Sequence, residues 1–170
     1  MRVAVLTISD RSYGGERADK GGPAVAEAAR RLLAGAVIVE QTILPDECDD
    51  IIWNLERLAD TDAADLVLTT GGTGLSPRDV TPQATKAAVV YEVPGLGEAM
   101  RAATRDVLPT AILSRQVAGV RGHTLILNLP GSPQGAVECL EAVASVLPHA
   151  IATLRGEAGD LHPRAIAGRV

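Results

Sequence analysis

The stretch Thr69-Thr70-Gly71-Gly72-Thr73-Gly74 puts glycines and threonines where a backbone could close around a small anion. Glycine lets N–H groups come close to a ligand, and successive turn amides make an anion-binding concavity. Threonine hydroxyls add donors. The same residues would also serve as a tight turn that merely needs positive φ. No Gly-Lys-Ser/Thr follows, so this is not the phosphate loop of that class, and Pro77 stands where the last glycine of G-x-G-x-x-G belongs. Ser132 sits in no G-x-S-x-G elbow, which argues against an α/β-hydrolase.

Two carboxylates lie near this loop in the order of the chain. Asp46 follows an apolar run and could simply cap the helix that comes next, because acidic side chains favour helix N-termini. Asp79 is harder to explain in that way, since Thr81 takes the capping position ahead of Pro82. Two carboxylates beside an anion-binding loop suit magnesium-assisted phosphoryl or nucleotidyl transfer. They hold a hydrated ion that bridges phosphate oxygens and offsets charge developing in the transition state. Arg78 could steady a phosphate or stand solvated. His123, His149 and His162 lie far apart with no metal-ligand spacing, and Glu98 with Arg101 reads as a surface pair at i,i+3.

The elements that must position these groups alternate strand and helix. Val3–Ile8, Ala36–Leu44, Leu66–Thr70 and Thr124–Leu129 read as strands, with Ala111–Leu113 as a fifth, short one. Helices are predicted from about Pro23 to Gly35, from Asp46 through Ala59, and from Thr81-Pro82 to about Tyr91. Two more cover Leu96 to Val107 and the region from Ser132-Pro133 through Leu147. This pattern predicts an α/β three-layer sandwich, a largely parallel sheet with helices on both faces. Ligands of such sheets bind beyond the carboxyl ends of the strands. Ser9-Asp10, Asp46, Gly71–Asp79 and Asn128–Ser132 each follow a strand and should therefore gather at one edge.

Composition narrows the class. The chain has 170 residues, 46% hydrophobic and 22% charged, with 16 basic and 21 acidic side chains and a net charge of −5. That length and balance suit one globular domain, residues 1–170, with the tail from about residue 156 loosely held. An acidic chain with three aromatics, Tyr13, Trp53 and Tyr91, argues against nucleic-acid binding. Cys48 and Cys139 read as small core fillers, fitting neither a disulfide framework nor a four-ligand zinc site. With no signal segment and no apolar run of spanning length, a cytoplasmic protein away from membranes is expected.

Thr69–Thr85, T-T-G-G-T-G-L-S-P-R-D-V-T-P-Q-A-T, resembles the MoaB/Mog family of molybdenum-cofactor biosynthesis, related to the gephyrin G domain. The likeness extends to V-L-T-I-S-D-R-S, D-K-G-G-P, L-P-D-E at Leu44–Glu47 and P-G-L-G-E-A-M-R at Pro94–Arg101. L-S-R-Q-V-A-G-V-R-G at Leu113–Gly122 and L-N-L-P-G-S-P at Leu127–Pro133 complete it. Where members often carry phenylalanine after Pro-Gly, this chain has Leu96, and it has no phenylalanine at all. The resemblance implies molybdopterin adenylyltransferase chemistry, in which AMP passes from magnesium-ATP to the terminal phosphate of molybdopterin and pyrophosphate leaves. It implies that Asp46 and Asp79 are the catalytic, metal-holding pair. Ser9, Asp10, Thr70, Gly71, Gly72, Thr73, Gly74, Arg78, Ser114, Asn128, Pro130 and Gly131 become the substrate- and nucleotide-binding candidates. It further implies trimers, sometimes hexamers, no tightly bound organic cofactor, and a molybdenum-insertion protein as recipient of the product. A pterin-binding or scaffold protein without turnover could use the same pocket, and the two differ by release of pyrophosphate.

Overall fold

The computed structural model describes residues 1–157; the tail read as loosely held lies almost wholly outside the described residues. Strands β1 (Arg2–Ile8), β2 (Val37–Leu44), β3 (Leu66–Thr70), β4 (Tyr91–Glu92), β5 (Ala118–Arg121) and β6 (Thr124–Leu129) form one sheet. Their order is β2-β1-β3-β6-β5-β4, with the first four parallel and the last two antiparallel to their inner neighbours. The continuous apolar runs fall in β1, β3 and β6 because these strands are covered on both faces.

Successive side chains of a strand point to opposite faces, and each face has its own core. A single-turn helix, α1 (Asp10–Tyr13), follows β1. Val3, Val5, Leu66, Leu68, Leu125 and Leu127 pack under α2 (Gly21–Leu32), α5 (Pro94–Thr104), α6 (Pro133–Val143) and α7 (Leu147–Leu154). Ala4, Leu6, Val67 and Ile126 pack under α3 (Cys48–Asp60) and α4 (Thr81–Ala88). The three-layer sandwich expected from the alternation is therefore the observed fold. Cys139 is buried in the first core as expected, but Cys48 is only half-buried at the margin of the second. Among the described residues no single helix is long and apolar enough to cross a membrane.

Four local readings are corrected. Ala111–Leu113 belongs to a 3-10 turn, Pro109–Leu113, since three apolar residues carry no periodicity that could distinguish a strand. The helix through Leu147 is two helices, α6 and α7, bent by 65° at their junction. The helix after Pro82 stops at Ala88, and Tyr91–Glu92 pairs with β5 instead. α2 begins at Gly21, two residues before Pro23, because Asp19 Oδ1 accepts the N–H groups of Gly21 and Gly22 at 2.9 and 3.1 Å.

At the amino ends of the strands, opposite the loops of interest, Asp65 anchors the sheet. It is 6% exposed; its Oδ2 accepts the Arg2 N–H at 2.6 Å and its Oδ1 takes the Arg2 guanidinium at 2.8 Å and that of Arg155. Arg155 follows α7, so one carboxylate fastens β1 and the last helix together. Burial pushes this carboxyl up, but the Arg2 hydrogen bonds outweigh it and hold it below the usual range. Asp65→Ala should destabilise the protein by about 3 kcal/mol at neutral pH, read as a fall in the urea midpoint. A depressed carboxyl contributes stability above its unfolded value, about 3.9, and loses that contribution as pH falls through its folded value. The difference between wild type and Asp65→Ala should therefore narrow below about pH 4.

Candidate active site

Four parallel strands end at the same edge, and the glycine-rich loop leaves β3 there. Gly71 has φ +107°, and a Cβ on it would lie 2.2 Å from the Ile8 carbonyl oxygen. Gly72 has φ +63°, and its Cβ would lie 2.3 Å from Thr81 Oγ1 and 3.2 Å from Asp46 Oδ1. Both positive φ and close approach thus require glycine. Thr81 is not the cap expected of it: it is already the first helical residue, and its hydroxyl donates to the Gly71 carbonyl at 2.9 Å. The N–H groups of Gly72, Thr73 and Gly74 meet no acceptor among the described residues, which leaves a run of donors for an anion.

Asp46 does not cap α3 either, since Glu47 occupies the N-cap position and makes no side-chain capping bond. Asp46 Oδ2 instead accepts the Asp10 N–H at 2.8 Å. Its Oδ1 accepts no hydrogen bond among the described residues and faces Gly72. Burial pushes the Asp46 carboxyl above the usual range; the Asp10 amide pulls it back, and the charges of Asp10 and Asp79 push it further up. Asp79 Oδ2 accepts the Ser76 N–H at 2.8 Å, closing a local turn. Its other oxygen accepts nothing among the described residues. Each carboxylate is therefore fixed through one oxygen and uncommitted at the other. No group of three or more His, Cys, Asp or Glu side chains suited to a metal occurs among the described residues. A cation held by this pair would complete its shell with phosphate oxygens and water, which is the habit of magnesium.

Both carboxylates line one cavity of about 560 Å³, together with Ser9, Asp10, Thr70, Gly71, Gly72 and Gly131. Arg17 and Lys20 bring positive charge to it. Sequence alone does not single out those two residues; the available signal is their place in or just before D-K-G-G-P. Thr73, Gly74 and Pro130 stand behind the lining: the Pro130 carbonyl accepts the Thr70 hydroxyl at 2.8 Å. Arg78 is neither free nor directed into the cavity. Its guanidinium takes both Asp10 oxygens at 2.9–3.1 Å and Glu47 at 2.8 Å.

Two candidates lie elsewhere. Asn128 is fully buried, and its amide donates to Thr69 and Thr85 hydroxyls at 3.0 and 2.9 Å while its oxygen accepts the Val117 N–H. It ties three elements together and lines neither that cavity nor the one that Ser114 lines, because a polar side chain inside a sheet must spend its hydrogen bonds on the protein. Ser114 lines a second cavity of about 540 Å³, with Gln83, Lys86, Arg101, Arg115 and Gln116. Arg101 is not the surface partner of Glu98, since it donates to the Gln116 carbonyl at 3.1 Å. Gly71 and Gly72 line the first cavity, and the rest of the loop is bonded to a residue of the second, Arg115, whose N–H donates to the Thr73 carbonyl at 2.9 Å. The Arg115 side chain, which carries no signal of its own in the sequence, secures the loop from the same side by donating to the carbonyls of Gly74, at 2.7 Å, and Asp79.

A largely parallel α/β sheet with two carboxylates and a loop of unpartnered amides beyond its strand ends is the arrangement expected of a protein that handles phosphates. The family described as "Probable molybdopterin binding domain" matches residues 4–149, and the chain belongs to it. The chain is 42% identical to a molybdopterin adenylyltransferase of Helicobacter pylori, covering 92% of this chain and 89% of the relative. It is 41% identical to the molybdopterin adenylyltransferase of Escherichia coli K12, covering 98% and 92%. The crystal structure of the molybdopterin biosynthesis enzyme MoaB from Thermus thermophilus superposes with TM-score 0.84 at 50% identity, over 91% of this chain and 96% of that one.

The loop geometry gives a direct stability test. Gly15 has φ +78°, and a Cβ on it would meet nothing within 4 Å, so it serves as the reference position. Gly15→Ala should cost about 1 kcal/mol from backbone conformation alone. Gly71→Ala and Gly72→Ala add a steric clash with Ile8 or Thr81 and should each cost about 3 kcal/mol in urea unfolding. Equal costs at all three positions would contradict the close approach.

Proposed function

We propose that this edge of the sheet joins ATP to molybdopterin, with the glycine-rich loop between the two substrates. The chain is a molybdopterin adenylyltransferase, an enzyme of molybdenum-cofactor biosynthesis, as its relatives are named. The observation that carries the catalytic assignment is the state of the two carboxylates. Asp46 and Asp79 are each oriented by a backbone N–H, and each keeps one oxygen uncommitted beside the unpartnered amides of Gly72–Gly74.

The triphosphate of ATP lies in the first cavity, where Lys20 and Arg17 offset its charge. The second cavity takes the pterin: the Gln83 amide and the Ser114 hydroxyl, which Gln116 Oε1 orients at 3.1 Å, offer polar contacts to a ring rich in donors and acceptors, and Lys86 adds a cation. The terminal phosphate of molybdopterin then meets ATP at the loop. One of its oxygens attacks the α-phosphorus, the bond from that phosphorus to the β-phosphate oxygen breaks, and pyrophosphate departs with the electron pair. A magnesium ion held by Asp46 and Asp79 would neutralise charge on the phosphate oxygens as it develops. The loop amides hold the attacking phosphate in line.

Because Asp46 and Asp79 act on the charge of the reacting phosphates, Asp46→Asn and Asp79→Asn should each cut turnover by roughly 10², ~2.7 kcal/mol of transition-state stabilisation. Molybdopterin affinity should change little. Pyrophosphate release and molybdopterin binding, measured side by side, check this; wild-type turnover in both variants would defeat the catalytic assignment. A chelator should abolish turnover and added magnesium restore it.

A homotrimer is the proposed assembly, with the hexamer as a further association of it, and the cytoplasm is the proposed compartment, in keeping with free thiols at Cys48 and Cys139. Light scattering should give about three times the 17.6 kDa chain mass. A single-chain mass across a concentration series would exclude the trimer.

A further inference from the structure

The parallel pairing of β1 and β2 reaches its last partners at Ile8 and Leu44, and Ser9 N–H still donates to the Leu44 carbonyl at 2.9 Å. Pro45 comes next and has no N–H with which to continue the ladder. Side chains take over. Asp46 N–H donates to Asp10 Oδ1 at 2.9 Å, and Asp10 N–H donates to Asp46 Oδ2 at 2.8 Å. The two residues form a closed clasp in which each carboxylate holds the other's backbone. Asp10 is itself held from outside by Arg78, whose Nε and Nη2 engage its two oxygens.

We infer that Asp10 is a positioning residue, which grips the Asp46 amide through its carboxylate and so aims the uncommitted Asp46 oxygen at the glycine-rich loop. Arg78 anchors Asp10 in that grip. The inference rests on the reading of Asp46 as catalytic and assigns Asp10 a different part from substrate contact. Its carboxylate oxygens are already engaged by Asp46 N–H and Arg78. A negative side chain in this place would also be a poor ligand for triphosphate.

Asp10→Ala removes the acceptor for Asp46 N–H, whereas Asp10→Asn keeps an oxygen there and loses only the charge. Two readings of the same proteins test the clasp: hydrogen exchange of the Asp46 amide without ligands, and steady-state turnover with magnesium-ATP and molybdopterin. In Asp10→Ala the Asp46 amide should exchange at least tenfold faster and kcat should fall about tenfold, with KM for ATP unchanged. Asp10→Asn should recover the protection and most of the rate. Unchanged exchange in Asp10→Ala, equal kcat in the two variants, or a raised KM with unchanged kcat would each overturn the proposal. If Asp10→Ala does not fold, the exposed Arg78→Met takes its place: it should speed exchange at Asp46 and lower kcat, and no change in either overturns the clasp. A wild type that releases no pyrophosphate would defeat the functional reading alone, since amide exchange still decides the clasp.

Discussion

Everything at this site depends on how closely the chain after β3 passes the end of β1. Gly71 touches the Ile8 carbonyl at a distance no side chain would permit, and this contact sets where the loop runs. Thr81 then ties α4 to the loop through the Gly71 carbonyl, and Asp46 comes to rest over Gly72. A shift of a few tenths of an ångström at Gly71 would move the loop, the helix start and the carboxylate together. Close packing makes such a region respond as a unit rather than residue by residue.

An acidic protein that handles phosphates must supply attraction locally. The net charge is −5, yet the site combines unpartnered loop amides with Lys20 and Arg17 on one side and Lys86 on the other. Amide donors carry no net charge, so they bind phosphate without making the empty site repel itself. The carboxylates work in the opposite sense. In the proposed reaction they would favour a cation that in turn favours phosphate, so the negative residues would serve only once metal and nucleotide come in together. Arg78 balances part of the excess by pairing with Asp10, which lines the first cavity, and with Glu47.

The glycine-rich loop has the first cavity on one side and residues that line the second on the other, and it is held from both. Asp79 closes the turn with Ser76, while Arg115 reaches across from the second cavity to the carbonyls of Gly74 and Asp79. Asn128 performs the same service beneath it, linking β3, α4 and the segment leading into β5. A loop of glycines would otherwise be mobile. Here its backbone carbonyls are taken by neighbours and the N–H groups of Gly72, Thr73 and Gly74 are left, which is the polarity an anion site needs.

The sequence by itself determined the layer architecture and the edge at which chemistry could occur. Apolar runs in β1, β3 and β6, each followed by a loop signal, pointed to strands covered on both faces, and parallel strands end at the same edge. It also singled out Asp46, Asp79 and the glycine-rich loop, because residue type and position after a strand are local facts. Roles that depend on a partner distant in the chain were not legible. Asn128 has the look of a pocket residue, yet its amide is spent on Thr69 and Thr85; Thr81 has the look of a cap, yet its hydroxyl is on Gly71. Asp10 and Asp46 are 36 positions apart, and no periodicity announces that each holds the other's backbone. Ser114 and Arg115 fell to a second cavity for the same reason. Hydrogen bonds between side chains and backbone are settled by which strands the sheet brings side by side, so only the tertiary structure could decide them.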